Sequence, residues 1–262
     1  MLILVPHILR SLIENLQRKR RMQPWHCLAL GLVWLGVSGA FTACKHKDTQ
    51  ADIPSDASMA RLAPVVHLSP LEKDVVQEIN LARTQPKAYA AFLEQLRPNY
   101  VSGRGQSPGA RTIITTGGKT TFVTAEGPKA LDQAIAFLRS TPPLPPLTVS
   151  RGMSLGSKEH VKEQERTGVI GHQGRDGSRP GDRASRYGRW QGTISENISY
   201  GIDSARGMTM ALIIDDGLPD RGHRKNMFDA QARLLGVACS DHVAGQILCV
   251  TTFATEYTES AR

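Results

Sequence analysis

The sequence predicts a fold of the α+β class, and three observations carry that expectation. Several segments between residues 69 and 215 repeat apolar residues at helical spacing. Two late segments, 233–239 and 246–255, are rich in Val, Leu, Ile, Thr and Phe and are joined by a polar turn. Helices precede strands instead of alternating with them, so three or four helices are expected to pack on late strands. At 262 residues, 40% hydrophobic and 21% charged, the chain can bury one good-sized core and hardly two.

The N-terminus reads as a targeting segment over 1–44. Arg18-Lys19-Arg20-Arg21 precedes an apolar run from Cys27 to Val37, and small residues follow up to Cys44. A basic region, a short apolar stretch and a small-residue exit are the parts of a secretory signal. The run is too short for a permanent span, which needs about 20 residues. Thr42-Ala43-Cys44 resembles the tail of a bacterial lipobox, with Phe41 where Leu is usual. Cys44 is therefore the expected lipidation site, and ordinary cleavage with release is the competing reading. Lipid on Cys44 would hold the domain at a membrane surface, since each buried methylene contributes ~0.8 kcal/mol. A true start at Met22 is an alternative that would discard the basic run. Residues 45–68 are polar and without period, and read as a flexible tether.

The domain is expected over 69–258. Ser69-Pro70-Leu71-Glu72 is a helix start with a capping box. Leu71, Val75, Val76, Ile79 and Ala82 fall on one helical face, and Pro86 ends or restarts the helix before Tyr89, Phe92, Leu93 and Leu96. The pattern breaks over about 97–127, which reads as an insertion holding a hairpin from Ile113 to Val123 around Gly117-Gly118. A short helix carries Leu131, Ile135 and Leu138, and Pro142 to Leu147 must be extended. Further helices are expected over 150–167 and from Ser204 to about Asp215, the latter stopped by Gly217 and Pro219.

Charge and cysteines bound the partners. The formal charge is +8, but half of that excess sits in residues 1–44, and the remaining +4 is ordinary for a domain that binds no nucleic acid. Cys27 leaves with the signal and Cys44 takes lipid, so Cys239 and Cys249 remain as a pair on facing strands. They suit a disulfide across a non-hydrogen-bonded position, worth roughly 2–3 kcal/mol; two buried free thiols are the alternative.

Three stretches carry the candidate chemistry. Gly171 to Ser178 is a Gly-rich loop holding His172, Ser195 to Gly201 places Glu196 in a short extended segment, and Arg221 to Asn226 holds His223. Taken singly, each such side chain is more often a structural hydrogen-bonder. In order, they resemble the CAP superfamily (cysteine-rich secretory proteins, antigen 5 and plant pathogenesis-related proteins), most of all its bacterial branch. The resemblance rests on Ile79-Asn80-Leu81-Ala82-Arg83, Leu144-Pro145-Pro146-Leu147, Gly171-His172, Asp182-Arg183-Ala184 through Tyr187-Gly188, and Glu196-Asn197-Ile198. It continues in Gly222-His223-Arg224-Lys225-Asn226-Met227, Gly236-Val237-Ala238-Cys239 and the strand from Cys249 to Phe253. It implies an α-β-α sandwich, three to four helices on a small antiparallel sheet, with a cleft where two His and two acids meet. His172, Glu196 and His223 match. The second Glu has no counterpart, which leaves Asp215 or Asp216 as the fourth cleft acid.

Two imidazoles and a carboxylate can supply three ligands to zinc or another divalent metal and leave a position open for water. No cofactor follows from the sequence with certainty, no His-Glu-x-x-His helix exists, and nothing shows that Ser195, His223 and Asp215 form a triad. The leading expectation is a non-enzymatic binding module of the cell envelope, lipid-anchored and periplasmic or cell-surface, otherwise secreted. Its ligand would be a lipid, a cell-wall component or a protein. The competing expectation is a metal-dependent peptide or ester hydrolase using the same cleft. A third is partner capture through segment 97–127, because loops of that length are often functional.

Overall fold

Ser69 starts the first helix in the manner its sequence predicts: its Oγ accepts from the Glu72 amide at 3.2 Å, and Glu72 Oε2 accepts from the Ser69 amide at 2.7 Å. The computed structural model describes residues 67–99, 101–102, 111–114, 121–241 and 247–260. The signal segment with Cys44, nearly all of the tether, and the hairpin tip at Gly117-Gly118 lie outside the described residues. All the described residues belong to one unit, Ser58–Arg262.

Helix α1 (Pro70–Thr84) buries Val75, Ile79 and Ala82, and α2 (Pro86–Glu94) restarts at Pro86 to bury Tyr89, Ala90 and Leu93. Within 97–127, β1 (Val101–Ser102), β2 (Arg111–Ile114) and β3 (Thr121–Thr124) form a three-stranded antiparallel sheet. Ile113 lies opposite Phe122 there, which is the register of the expected hairpin. Then come α3 (Pro128–Ser140), β4 (Thr148–Val149), α4 (Arg151–Thr167), α5 (Pro180–Ser185) and β5 (Gly188–Tyr200). The chain ends with α6 (Ala205–Ile214), α7 (Gly222–Met227), β6 (Leu234–Asp241) and β7 (Ile247–Glu259).

The main sheet has the order β4-β6-β7-β5. β7 pairs antiparallel with both β6 and β5, whereas β4 runs parallel to β6. The sheet is thus mixed, correcting the expected antiparallel one, because the extended run 142–147 delivers the two residues of β4 alongside the start of β6. Seven helices form among the described residues where three or four were expected, two of them only six residues long. β5 is a strand of thirteen residues instead of a short extended segment. Its Gly, Gln, Ser, Glu and Asn content hides the alternation of a strand, and a register shift between Gln191 and Ile194 breaks the period.

The two faces of this sheet carry separate cores. Leu235, Val237 and Phe253 pack with Val75, Ile79, Leu131 and Ile213 of the α1, α3 and α6 helices. On the opposite face Ile198, Ala238, Leu248 and Val250 meet Val161 of α4, and Ala254 meets Met153 and Ala184. Helices, sheet and helices form three layers. Two glycines set the second interface: a Cβ on Gly236 would stand 2.5 Å from the Met153 carbonyl carbon, and one on Gly156 would stand 3.0 Å from the Ala184 amide. Helix α4 therefore lies directly on the sheet, and α5 directly on α4. Cys239 and Cys249 are opposed in register with Cα atoms 4.1 Å apart and are joined by a disulfide, the close approach expected of a non-hydrogen-bonded pair.

Arg83, at the end of α1, is fully buried. It donates to the carbonyls of Pro145 at 3.1 Å, Met227 at 2.6 Å, Asp229 at 3.0 Å and Ala232 at 3.3 Å. Asn80, one turn earlier, exchanges two hydrogen bonds with the Leu147 backbone. These two side chains hold the extended run and the loop after α7 in place. Burial lowers the Arg83 guanidinium to about 10, so it stays charged at neutral pH and depends on those acceptors. Arg83→Lys, which loses the fork geometry, is expected to cost about 2–4 kcal/mol in urea unfolding without changing the secondary structure.

Candidate functional site

The site is built on two consecutive residues of β5, whose side chains turn to opposite faces of the sheet. Glu196 points to the α4–α5 side and is 6% exposed. A charge in that position needs compensation, and it has two partners. Arg183 of α5 donates from Nη2 to Glu196 Oε2 at 2.7 Å, and His172 Nδ1 lies 2.9 Å from Glu196 Oε1. Arg183 also donates from Nη1 to the carbonyls of His172 at 3.1 Å and Ser178 at 3.0 Å, fastening both ends of the loop that carries His172.

The residue before His172 is held as firmly. The Gly171 amide donates to the Tyr200 hydroxyl at 3.0 Å, while His160 Nε2 and Gln164 Nε2 both reach the Gly171 carbonyl, at 2.7 and 3.0 Å. Tyr200 in turn donates to Gln164 Oε1 at 2.8 Å. The His160 ring is 1% exposed, and burial, followed by the nearby Arg183 charge, pushes its pKa down. His172 itself keeps 54% of its side chain exposed over this fixed base.

On the other face Asn197 donates from Nδ2 to the His223 carbonyl at 2.9 Å. Asn226 donates to Asn197 Oδ1 at 2.8 Å and to the Glu196 carbonyl at 3.3 Å, so α7 is tied to the same two residues of β5. Of the two candidate acids, Asp215 joins His223: Oδ1 lies 2.7 Å from His223 Nδ1, and Oδ2 accepts from the His223 amide at 2.8 Å. Asp215 adopts a left-handed backbone, φ 55°, at the C-cap of α6, which turns its carboxylate toward the start of α7. Asp216 faces elsewhere and accepts from the Ala125 and Glu126 amides at the end of the inserted segment. Arg221 pairs with Glu126 through both Nη atoms and holds that carboxyl down at about 2.

The arrangement is two imidazole–carboxylate pairs flanking an edge strand, Glu196–His172 and Asp215–His223. A zinc ion bound by His172, Glu196 and His223 does not fit it. Both oxygens of Glu196 are engaged, one by a guanidinium, and no group of three or more His, Cys, Asp and Glu side chains is placed to hold a metal among the described residues. Ser195 does not join the Asp215–His223 pair, and neither imidazole is hydrogen-bonded to a Ser, Thr or Cys among the described residues. Two cavities lie outside this cleft. The larger, of about 480 Å³, sits behind the His172 loop, and the smaller, of about 230 Å³, adjoins His67 and Arg151.

Sequence reasoning did not single out Arg183, His160, Gln164, Tyr200, Asn226 or the Arg221–Glu126 pair. Arg183, Tyr200, Arg221 and Asn226 lie within the stretches quoted above but were given no role there, and for His160 and Gln164 the signal lay in spacing: they share a helical turn, and polar residues on the buried face of α4 imply a polar partner.

The model of the CAP family, described as the cysteine-rich secretory protein family, matches residues 133–253. A search of curated proteins finds no match. Among solved structures, an outer surface protein from Borrelia burgdorferi is similar at 17% identity and TM-score 0.38, covering 43% of this chain and 80% of that one. An extracellular protein containing a SCP domain from Bacillus anthracis str. Ames has 14% identity and TM-score 0.36, with 58% of each chain covered. BmVAL-1 has 11% identity and TM-score 0.32, covering 74% of this chain and 81% of that one.

Three outcomes are expected of this site. Glu196→Gln strands the Arg183 charge, 2% exposed, without its carboxylate, and should cost about 3–5 kcal/mol in denaturant unfolding. His172→Ala, at an exposed ring, should cost under about 1 kcal/mol. His160 carries the pH dependence. Its folded pKa lies below the unfolded value of about 6.5, so its contribution is complete above pH ~6.5 and is lost as pH falls below it. Thermal unfolding between about pH 7 and pH 5 should show that loss in the parent and a shallower one in His160→Gln.

Proposed function

We propose, on the premise that residues 133–253 are a domain of the cysteine-rich secretory protein (CAP) family, that the chain is an exported, lipid-anchored, non-enzymatic binding module of the cell envelope. The cleft along β5 is its recognition surface. One observation carries this reading: each imidazole is tied through Nδ1 to a buried carboxylate that is itself held by a guanidinium or by backbone amides. Such side chains meet a partner already in place and lose little entropy on binding.

Export is supported by the disulfide, which belongs to an oxidising compartment, and by the basic and apolar signal pattern. Anchoring is supported by Thr42-Ala43-Cys44 alone. A lipid, a cell-wall component or a protein of the envelope is the class of ligand such a location offers. Metal binding is left out of the proposal because Glu196 is engaged through both oxygens and no third ligand joins the two imidazoles among the described residues. Hydrolysis has one observation in its favour, a His223 ring oriented by buried Asp215 as a general base would be. It has neither a joined nucleophile nor a metal site to go with that base.

Mass spectrometry of the mature protein from its native membrane tests the anchor, with an N-terminal Cys44 carrying acyl chains as the expected result. A mature chain that begins beyond residue 44 removes it. Peptide and ester substrates should show no turnover above that of the His223→Ala variant. Turnover abolished by that substitution would move the function to hydrolysis.

A further inference from the structure

The larger cavity has features that the cleft does not use. It lies between the C-terminal half of α4 and the loop after Val169, and it holds about 480 Å³, within the range of small-molecule sites. His160 stands in its wall with the ring 1% exposed, and Nδ1 has no hydrogen-bond partner. A buried polar atom left unpaired is costly and points to a missing partner. The Gly171 carbonyl, which can only accept, lies 2.7 Å from Nε2 and favours the tautomer with its hydrogen there, so that Nδ1 is the acceptor; Gln164 Nε2, 2.8 Å from the same ring nitrogen, gives a hydrogen to that carbonyl instead. Burial keeps the ring neutral.

Beside it stands a second acceptor. Glu163 Oε1 accepts from the Arg175 amide at 2.8 Å, which fixes the carboxylate, and Oε2 lies 3.7 Å from His160 Nδ1. That separation is too long for a direct hydrogen bond but within reach of one group carrying several donor hydrogens. The same cavity is lined by Arg166 and Arg175, whose guanidinium groups have no hydrogen-bond or ion-pair partner among the described residues. Val169, 65% exposed, adds an apolar edge.

We propose that this cavity binds an α-amino acid zwitterion, free or as a short peptide, with the ammonium group between His160 Nδ1 and Glu163 Oε2 and the carboxylate on Arg166 and Arg175. An ammonium supplies hydrogens to both acceptors at once, which a hydroxyl cannot do, and a carboxylate is the group that paired guanidiniums hold best. The apolar side chain lies against Val169. Because Gly171, Gln173 and Arg175 belong to the loop that carries His172, a bound ligand also stiffens the base of the cleft. The assignment does not depend on the function proposed for that cleft.

The test is a calorimetric screen of the L-amino acids against the mature chain. The best ligand is then compared with its deaminated carboxylate and its decarboxylated amine. Each one-charge analogue should bind at least about tenfold more weakly than the zwitterion, and Glu163→Gln and the double variant Arg166→Ala, Arg175→Ala should each weaken binding by a similar factor. These positions lie at the protein surface or its margin, and unchanged unfolding temperatures would establish that the variants fold. Three results overturn the proposal: no amino acid binding up to about 10 mM, equal affinity for zwitterion and analogue, or affinity untouched by the substitutions. Loss of amino acid binding would leave the acylation of Cys44 and the turnover assay unaffected, so the two proposals fail separately.

Discussion

Glu196 is a carboxylate buried within the edge strand β5, and the fold around it holds only while Arg183 stays within hydrogen-bond reach. Arg183 is equally buried, so neither charge has water as an alternative partner. Breaking such a pair costs far more than the pair gains over an apolar substitute, which makes it a positional constraint more than a source of stability. Its reach is wide. Arg183 can stand over β5 only because Gly156 lets α5 touch α4, and the rest of its guanidinium then closes the loop around His172. Neighbouring polar groups extend the constraint along the sheet: Thr252, opposite Glu196, bonds Ser157 of α4 at 2.9 Å, and Thr251 donates to the Asn197 carbonyl. A strand slipped by one residue would turn Glu196 into the apolar face formed by Leu235 and Phe253, so the polar row also specifies the register.

Arginine serves the other irregular segments in a similar way, with carbonyls in place of carboxylates. Arg83 serves four carbonyls, Arg224 reaches Ile213 and Ile214 at the end of α6, and Arg221 reaches Asp215 and Leu218. Loops packed inside a domain carry carbonyls that no strand or helix satisfies, and a guanidinium with five donors can meet several at once. Burial lowers Arg83 and Arg224 alike, each to about 10, and both remain charged at neutral pH. Part of the chain's positive balance is therefore interior and faces no partner. This is the physical reason that a net charge of +8 says little about nucleic acid.

The elements legible in the sequence were those whose cause is local. The capping box at Ser69, the Ser150 cap of α4, the opposed cysteines and the Ile113–Val123 hairpin all depend on residues near one another in the chain. β5 was not legible as a strand because its central residues are chosen for partners far away in sequence: Glu196 for Arg183, Asn197 for His223 and Asn226. The same distance explains the acids. Nothing local distinguishes Asp215 from Asp216, and only the left-handed turn at Asp215 sends one carboxylate to His223 and the other to the inserted segment. His172, Glu196 and His223 were found by pattern, with Asp215 as one of two candidate acids, whereas the roles of Arg183, Tyr200 and Asn226 were not, since a positioning residue carries no chemistry of its own to announce it.

The way these rings are held also fixes what the cleft presents. A ring that gives its Nδ1 hydrogen to a carboxylate keeps, in the neutral form, a lone pair on Nε2. With Glu196 and Asp215 behind them, His172 and His223 offer acceptors backed by negative charge, a surface suited to hydrogen-bond donors and cations. The neighbouring cavity pairs acceptors at His160 and Glu163 with guanidiniums at Arg166 and Arg175, a surface for molecules of both signs. The loop from Gly171 to Arg175 contributes His172 to one and Gln173 and Arg175 to the other, so the two surfaces share a backbone while differing in charge. Two sites of such different chemistry on one short loop do not compete for a ligand. What they share is the position of that loop, and Arg183 and Tyr200 set it.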